Sequence, residues 1–250
     1  MTTIKSWSCL RILDFESCKL KAKLKLIDKI PEPERPLPPG KTEHYNDRGT
    51  RLHTSAELFV QGKEELIPEL EKFRDEFEVL RTQFKAGKAT LEGEWAFDRD
   101  WNPVEWKSSD AWVRLKCDAV IWKTPTHAVI VDYKSGKRFG NELKHGEQVQ
   151  FYALAVFLRY PEIEEVTVEL WYLDVDELVP GHFTRTQGLR HLAPWTKRGA
   201  RMTEATTFPP NPNIFSCRYC PYGPEGTGHC TVGVPQNGRA TQKLFARKNR

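Results

Sequence analysis

The sequence predicts an α/β fold, and three observations carry that prediction. Helical and strand-like stretches follow one another in the order helix, strand, strand, strand, helix, strand. Two apolar strand-like runs end in carboxylates, Arg114-Leu115-Lys116-Cys117-Asp118 and Val129-Ile130-Val131-Asp132-Tyr133-Lys134. At 250 residues the chain can bury one substantial α/β core plus a small appendage. No internal repeat is visible.

Taken in order, an N-terminal helix is expected over about Ser8 to Leu26. Pro31 to Pro39 holds five prolines in nine positions, which excludes a helix interior and marks a connector. Arg48 to Glu57 reads as the first turns of a helix, with His53 and Glu57 on one face at i, i+4. Glu64 to Lys85 predicts one long amphipathic helix, because Leu66, Leu70, Phe73, Phe77 and Leu80 recur at spacings of four, three, four and three. That stripe reads as core packing. Glu92 to Phe97 is a first strand, and either Glu92 or Glu94 could approach a metal. Strands over Val113 to Trp122 and Ala128 to Tyr133 are joined by a hairpin through Lys123-Thr124-Pro125-Thr126. Glu147 to Leu158 is a strong helical run with Gln148 and Tyr152 on one face, and Val166 to Leu173 is another strand.

The carboxylates at the strand ends suggest chemistry. Residues i and i+2 of a strand share a face, so Asp132 and Lys134 project side by side. The hairpin brings Asp118 close to them. Two neighbouring carboxylates repel unless a cation lies between them, and a hard divalent metal is the natural occupant. A lysine beside such a metal can orient a nucleophilic water or steady charge developing on a phosphate. An isolated D-x-K is usually a surface ion pair on a solvated strand. Here its surroundings point to a metal-dependent phosphodiester hydrolase.

A histidine (His53), two acids (Asp118, Asp132), a lysine (Lys134) and a Q-x-x-x-Y helix (Gln148, Tyr152), in this order, resemble the RecB-like branch of the PD-(D/E)xK nuclease superfamily. The resemblance spans nearly the whole chain. It implies a restriction-endonuclease-like core, a central mixed sheet flanked by helices. It further implies that His53, Asp118 and Asp132 are ligands of Mg2+ or Mn2+, with the Tyr133 carbonyl completing the shell. Lys134 would be the catalytic lysine, and Gln148 and Tyr152 would stand at the edge of the site near the DNA.

Six cysteines give a second signal. Cys217-Arg218-Tyr219-Cys220 is a C-x2-C in a Pro/Gly-rich segment, and Cys230 follows ten positions after Cys220. Cys18 closes the N-terminal helical stretch. Three clustered thiols and one distant thiol can form a four-sulfur site tying the termini together, suited to zinc or to an iron–sulfur cluster. No secretory signal or long apolar segment follows the polar start Met1-Thr2-Thr3, which speaks against disulfides. A subset of RecB-like nucleases, similar to AddB-type helicase-nuclease subunits and to the nucleases of CRISPR adaptation, holds a [4Fe–4S] cluster on one N-terminal and three C-terminal cysteines. On that resemblance the ligands are Cys18, Cys217, Cys220 and Cys230. Two departures stand against it: the last spacing is longer than the family's usual one, and His229 offers a competing ligand for Zn2+. Cys117 reads as buried in a strand, and Cys9 as a bystander or substitute ligand.

A balance of 38 basic against 34 acidic residues, net +4, excludes a bulk polycation. Its distribution is uneven. No acid interrupts His182 to Thr203, where Arg185, Arg190, Lys197, Arg198 and Arg201 are interleaved with Phe183 and Trp195. Basic residues mixed with aromatics suit phosphate contact and base stacking, against the alternative of a solvated loop. Lys197, Arg198 and Arg201 are the candidate nucleic-acid contacts, and 239–250 is a basic tail. The expected organisation is a single nuclease domain over 1–250, with a catalytic core at about 48–175 and a metal-cluster appendage made of 1–30 and 205–235. The reading is a DNA exonuclease of recombination, repair or phage DNA processing, acting on single-stranded DNA or duplex ends in the cytoplasm, with no membrane partner. The G-x-x-x-x-G-K-[ST] phosphate loop is absent, so unwinding would need a helicase or recombination partner. The rivals are a catalytically silent nucleic-acid-binding module of the same fold and a zinc-stabilised interaction module.

Overall fold

The computed structural model describes residues 3–34, 37, 39–136 and 138–234. The chain divides into two compact units, Met1–Pro36 with Lys197–Arg250, and Leu37–Thr196. The basic tail expected at 239–250 lies outside the described residues.

The helix expected over Ser8 to Leu26 is two helices, α1 (Cys9–Ser17) and α2 (Lys19–Leu26). Between them Cys18 is extended, with φ −159° and ψ 111°. Distant residues explain the break. The Ser17 carbonyl accepts from Asn211 Nδ2 at 3.0 Å, and the Ser17 and Ser216 hydroxyls meet at 3.0 Å.

In the other unit α3 (Tyr45–Val60) buries Leu52, Ala56, Phe59 and Val60, a stripe of helical period. The single helix expected over Glu64 to Lys85 is also divided. Pro68–Phe73 is a 3-10 turn, and α4 (Arg74–Lys85) follows it. Pro68 holds Ile67 in extended backbone (φ −76°, ψ 152°), so a helix cannot run through from Glu64. The apolar stripe survives the break, because Leu70, Phe73, Phe77 and Leu80 are all buried.

The strands are β1 (Ala89–Phe97), β2 (Pro103–Val104), β3 (Val113–Thr124), β4 (His127–Lys134), β5 (Glu165–Tyr172) and β6 (Glu177–Thr184), in the sheet order β2-β1-β3-β4-β5-β6. Among the described residues only β4 and β5 pair in parallel, joined by α5 (Glu142–Arg159), and the sheet is therefore mixed. Central β4 has six of its eight residues buried, which is why it reads as a continuous apolar run. Two strands were not expected. β2 has two residues, and β6 carries Pro180 and Gly181, which resemble a turn but are tolerated on an edge strand.

Helices α3 and α4 cover one face of this sheet. Phe73 stacks on Trp171 with ring centroids 5.6 Å apart, and Phe77 packs against Tyr133 and Trp171 at 5.4 and 5.3 Å. Truncating a ring buried like Phe77 costs roughly 3–5 kcal/mol. Helix α5 packs on β6, where a Cβ on Gly181 would come within 2.9 Å of Val149. In α6 (Arg185–Leu189), a Cβ on Gly188 would overlap the Phe157 ring at 2.3 Å, so this position admits only glycine. Helices α7 (Leu192–Thr203) and α8 (Ile214–Cys217) complete the order. The acid-free stretch 182–203 is therefore the end of β6 with α6 and α7, not a loop. Trp195 is buried against Phe151 and is unavailable for stacking on a base.

Candidate metal centre and catalytic cluster

Three chain segments deliver donor atoms to one place. From α3, His53 Nδ1 meets Asp118 Oδ1 of β3 at 3.1 Å. The other Asp118 oxygen accepts from the Tyr133 backbone N–H of β4 at 2.7 Å. The β1–β3 ladder pairs Leu91 with Ala119 and Gly93 with Cys117, which sets Glu92 across from Asp118. Glu92 itself has a left-handed backbone (φ 50°), a conformation that a non-glycine residue holds only under tertiary constraint. Donor atoms of His53, Glu92 and Asp118 all lie within 4.8 Å of one another. The two carboxylates fit a hard divalent cation, and the imidazole nitrogen favours Mn2+ over Mg2+.

Electrostatics agree with the geometry. Burial raises the Asp118 pKa, and the nearby Asp132 charge adds to it, against the lowering influence of His53. Burial works against the His53 imidazolium, but the bond to Asp118 and the charges of Asp118, Asp132 and Glu92 prevail and raise its pKa. Acids that crowd one another in this way gain from a shared cation. Glu92 also forms an ion pair with Lys116.

Asp132 is held separately, two strand positions from Lys134. The Lys134 ammonium touches Asp132 Oδ2 as an ion pair, off hydrogen-bonding direction, and donates to Gln148 Oε1 at 2.7 Å. Gln148 Nε2 donates to the Tyr152 hydroxyl at 2.7 Å, and that hydroxyl donates to Asp132 Oδ1 at 3.0 Å. A buried carboxylate requires such partners. The structure thus brings Asp132, Lys134, Gln148 and Tyr152 into one chain of hydrogen bonds. The Tyr133 ring, edge-on to His53 at 5.5 Å, packs on the far face of the strand.

Sequence reasoning left Glu92 as one of two candidates and missed several supports. His145 Nδ1 meets the Tyr172 hydroxyl at 2.7 Å, and burial followed by the Lys134 charge lowers its pKa to about 4. Its signal was present, since His145, Gln148 and Tyr152 form an i, i+3, i+7 stripe on α5. Arg48 forms a fork on Asp174 with bonds of 3.1 and 2.7 Å. Beside it Gly49 lets α3 approach the loop after β4: a Cβ there would stand 3.0 Å from Ser135 Oγ.

In the unit formed by both ends of the chain, Cys18, Cys217, Cys220 and Cys230 line one cavity of about 370 Å3, part of it open to solvent. Burial raises the Cys220 thiol pKa, and the neighbouring Cys18 and Cys217 add to that effect. His229 Nδ1 meets the Thr227 hydroxyl at 2.8 Å. Cys9 and Cys117 are buried, and burial pushes the Cys117 thiol well up. No disulfide joins the six cysteines. In the same unit Arg198 forms a fork on Glu16 with bonds of 2.9 and 2.7 Å, Arg201 reaches the same carboxylate at 3.0 Å, and Lys197 is exposed.

The sequence model of the PD-(D/E)XK nuclease superfamily matches residues 6–224, and the chain belongs to that superfamily. Membership implies a nuclease hydrolase, a nucleic-acid substrate and the use of a divalent metal. The crystal structure of SSO0001 is similar at 13% identity, covering 94% of this chain and 90% of that one with a TM-score of 0.39, a likeness that carries no further argument. No curated protein matched the chain. Among the described residues no helix is long and apolar enough to cross a membrane.

Proposed function

We propose that the protein is a DNA exonuclease of the RecB-like branch, acting in recombination, repair or phage DNA processing, with an iron–sulfur cluster in the cysteine cavity. The observation that carries this reading is the convergence of His53, Glu92 and Asp118 with the bonded chain Asp132, Lys134, Gln148 and Tyr152. A divalent ion held by His53, Asp118, Asp132, Glu92 and the Tyr133 carbonyl would lower a water's pKa and offset charge on the scissile phosphate. The protein groups do the rest. Tyr152 and Gln148 hold Asp132 in place, while Lys134, braced by Gln148 Oε1, is set to orient the attacking water. Lys197, Arg198 and Arg201 would carry phosphate contacts, the two arginines after exchanging Glu16 for DNA. A helicase or recombination partner would supply unwinding.

The core of this reading is about 48–175, and 1–30 with 205–235 form the cluster appendage. Four thiols lining one cavity fit a [4Fe–4S] cluster. Among the described residues only His53, Glu92 and Asp118 gather three such donor atoms within 4.8 Å, so the thiols stand wider than a single zinc ion needs. End-labelled single-stranded and duplex DNA, with Mg2+ or Mn2+, tests the activity. Cleavage should depend on the metal and vanish in Asp132→Ala. Wild-type rates in that variant would overturn the assignment.

A further inference from the structure

Three register partners stand side by side across the sheet where β4 ends. Lys134 of β4 pairs with Tyr172 of β5, and Tyr172 pairs with Glu177 of β6. At roughly 4.8 Å between strands, this row is about 10 Å wide. The stretch from Arg138 to His145 is pinned onto the row twice. Arg138 forms an ion pair with Glu177, and His145 bonds to the Tyr172 hydroxyl at 2.7 Å. Between the pins the backbone turns tightly, with Asn141 N–H donating to the Arg138 carbonyl at 3.1 Å and Gly140 N–H to Glu142 Oε2 at 2.8 Å.

This braced segment presents two large apolar side chains to water. Phe139 is 87% exposed and Leu143 is 88% exposed. They are among the most exposed apolar residues of the chain, and each lies within two positions of a residue pinned to the row, Phe139 next to Arg138 and Leu143 two before His145. The core does not use them, and leaving a phenyl ring and an isobutyl group in water forgoes the stabilisation that burial provides. Lys144, exposed, follows Leu143 directly, while Lys134 and Arg138, which precede Phe139 in sequence, are paired with Asp132 and Glu177. Nearby acids are engaged, Glu177 by Arg138 and Glu142 by the Gly140 N–H. An exposed apolar surface with Lys144 beside it complements nucleotides, whose bases have apolar faces and whose phosphates are anionic.

We propose that Phe139 and Leu143 form a base platform on which unpaired nucleotides beside the scissile phosphate stack. The proposal rests on the nuclease reading and adds to it how the substrate strand is engaged. Phe139 offers the π-face that any base can stack on, which makes the contact tolerant of sequence. Leu143 is the kind of aliphatic wedge that separates adjacent base steps. The row onto which Arg138 and His145 are pinned is about 10 Å wide, or about three steps at 3.4 Å per nucleotide of one strand, so a platform at its edge serves bases within a few positions of the cut. A base pair presents its edges to the grooves and not its face, so a blunt duplex must fray before it can use this surface.

The test uses the full-length protein and a fluorescein-labelled single-stranded DNA oligonucleotide, with binding read by anisotropy in the absence of divalent metal. Phe139→Ala with Leu143→Ala should weaken binding about tenfold or more, the loss expected when stacking on a platform is removed. The salt slope should hold, because no phosphate contact is lost. Phe139→Trp should bind at least as tightly as the parent protein. An oligonucleotide with abasic positions near the cut should lose affinity for the parent protein and lose little more for the double variant. Equal affinities for the parent and the double variant, in a protein whose parent form binds and cleaves DNA, would overturn the platform and leave the nuclease reading intact. A parent protein that neither binds nor cleaves any DNA would overturn both. A double variant that binds DNA normally but loses self-association in sedimentation would show that the surface serves a second copy of the chain and overturn the platform.

Discussion

The oxygen-rich site on the sheet and the thiol cavity differ in how fully the protein satisfies them. Asp118 has His53 and a backbone N–H, Asp132 has Lys134 and Tyr152, and Glu92 has Lys116. Every acid keeps a protein partner, so the fold can hold these side chains before any cation arrives. The four cysteines line a cavity instead, and burial disfavours the thiolate form at Cys220. A thiol is a weak hydrogen-bonding group that stabilises little by itself. On the proposed reading this is a division of labour: the first site would be pre-organised for turnover, and the second would depend on a bound group for its order.

That contrast breaks most visibly at the cysteines. Cys220→Ser should bleach protein purified without oxygen and lower its melting temperature by about 10 °C or more, measured by absorbance and calorimetry. Removal of divalent metal with EDTA should shift melting far less. Equal shifts would mean that the two sites do not differ in this way. Colourless protein with stoichiometric zinc would assign the cavity to zinc, and His229→Ala would then test the histidine as a ligand.

Lys134→Ala should lower the cleavage rate about a thousandfold with an unchanged circular dichroism spectrum. A smaller effect follows at Tyr152→Phe. Loss of the hydroxyl leaves Asp132 short of one buried partner, costing about 1–3 kcal/mol of stability in urea titration. If Tyr152→Phe costs nothing, the carboxylate is less pre-organised than the bonded chain indicates.

The smallest effect is a pH dependence in the metal-free protein. The His53 pKa is raised above its ordinary 6.5, so the folded state keeps a proton that the unfolded chain releases. Its stabilisation is complete below pH 6.5 and lost as pH rises through the folded value. His145, lowered to about 4, has the opposite sign, and its contribution is complete above 6.5. Melting temperature should therefore fall by a few degrees from pH 6.5 upward, and His53→Gln should flatten the decline. A flat profile in the parent protein would remove the His53–Asp118 coupling.

Much of the oxygen site was legible because strand periodicity is local. Asp118 and Asp132 interrupt apolar alternation, and i, i+2 spacing fixes Lys134 beside Asp132. Gln148 and Tyr152 follow from helical period in the same way. Glu92 was only half legible, since its place opposite Asp118 depends on the β1–β3 register and on a left-handed residue. The break at Cys18 was hidden, because Asn211 and Ser216, which hold it, lie almost two hundred positions away. Pro68 was visible in the sequence, yet the apolar stripe across it concealed that a 3-10 turn could keep the same face. His145 shares the helical stripe of Gln148 and Tyr152, but its partner Tyr172 comes from β5, far along the chain.

The β3–β4 hairpin has a practical consequence. Its exposed tip at Pro125 precedes β4, whose seven steps from His127 to Lys134 span about 23 Å at 3.3 Å per step. A tether placed there would hold the protein by the end of β4 remote from the proposed site at Lys134. Immobilised on a bead, or fused through that tip to a sequence-reading module, the protein would keep its cleaving end turned toward the strand it is given.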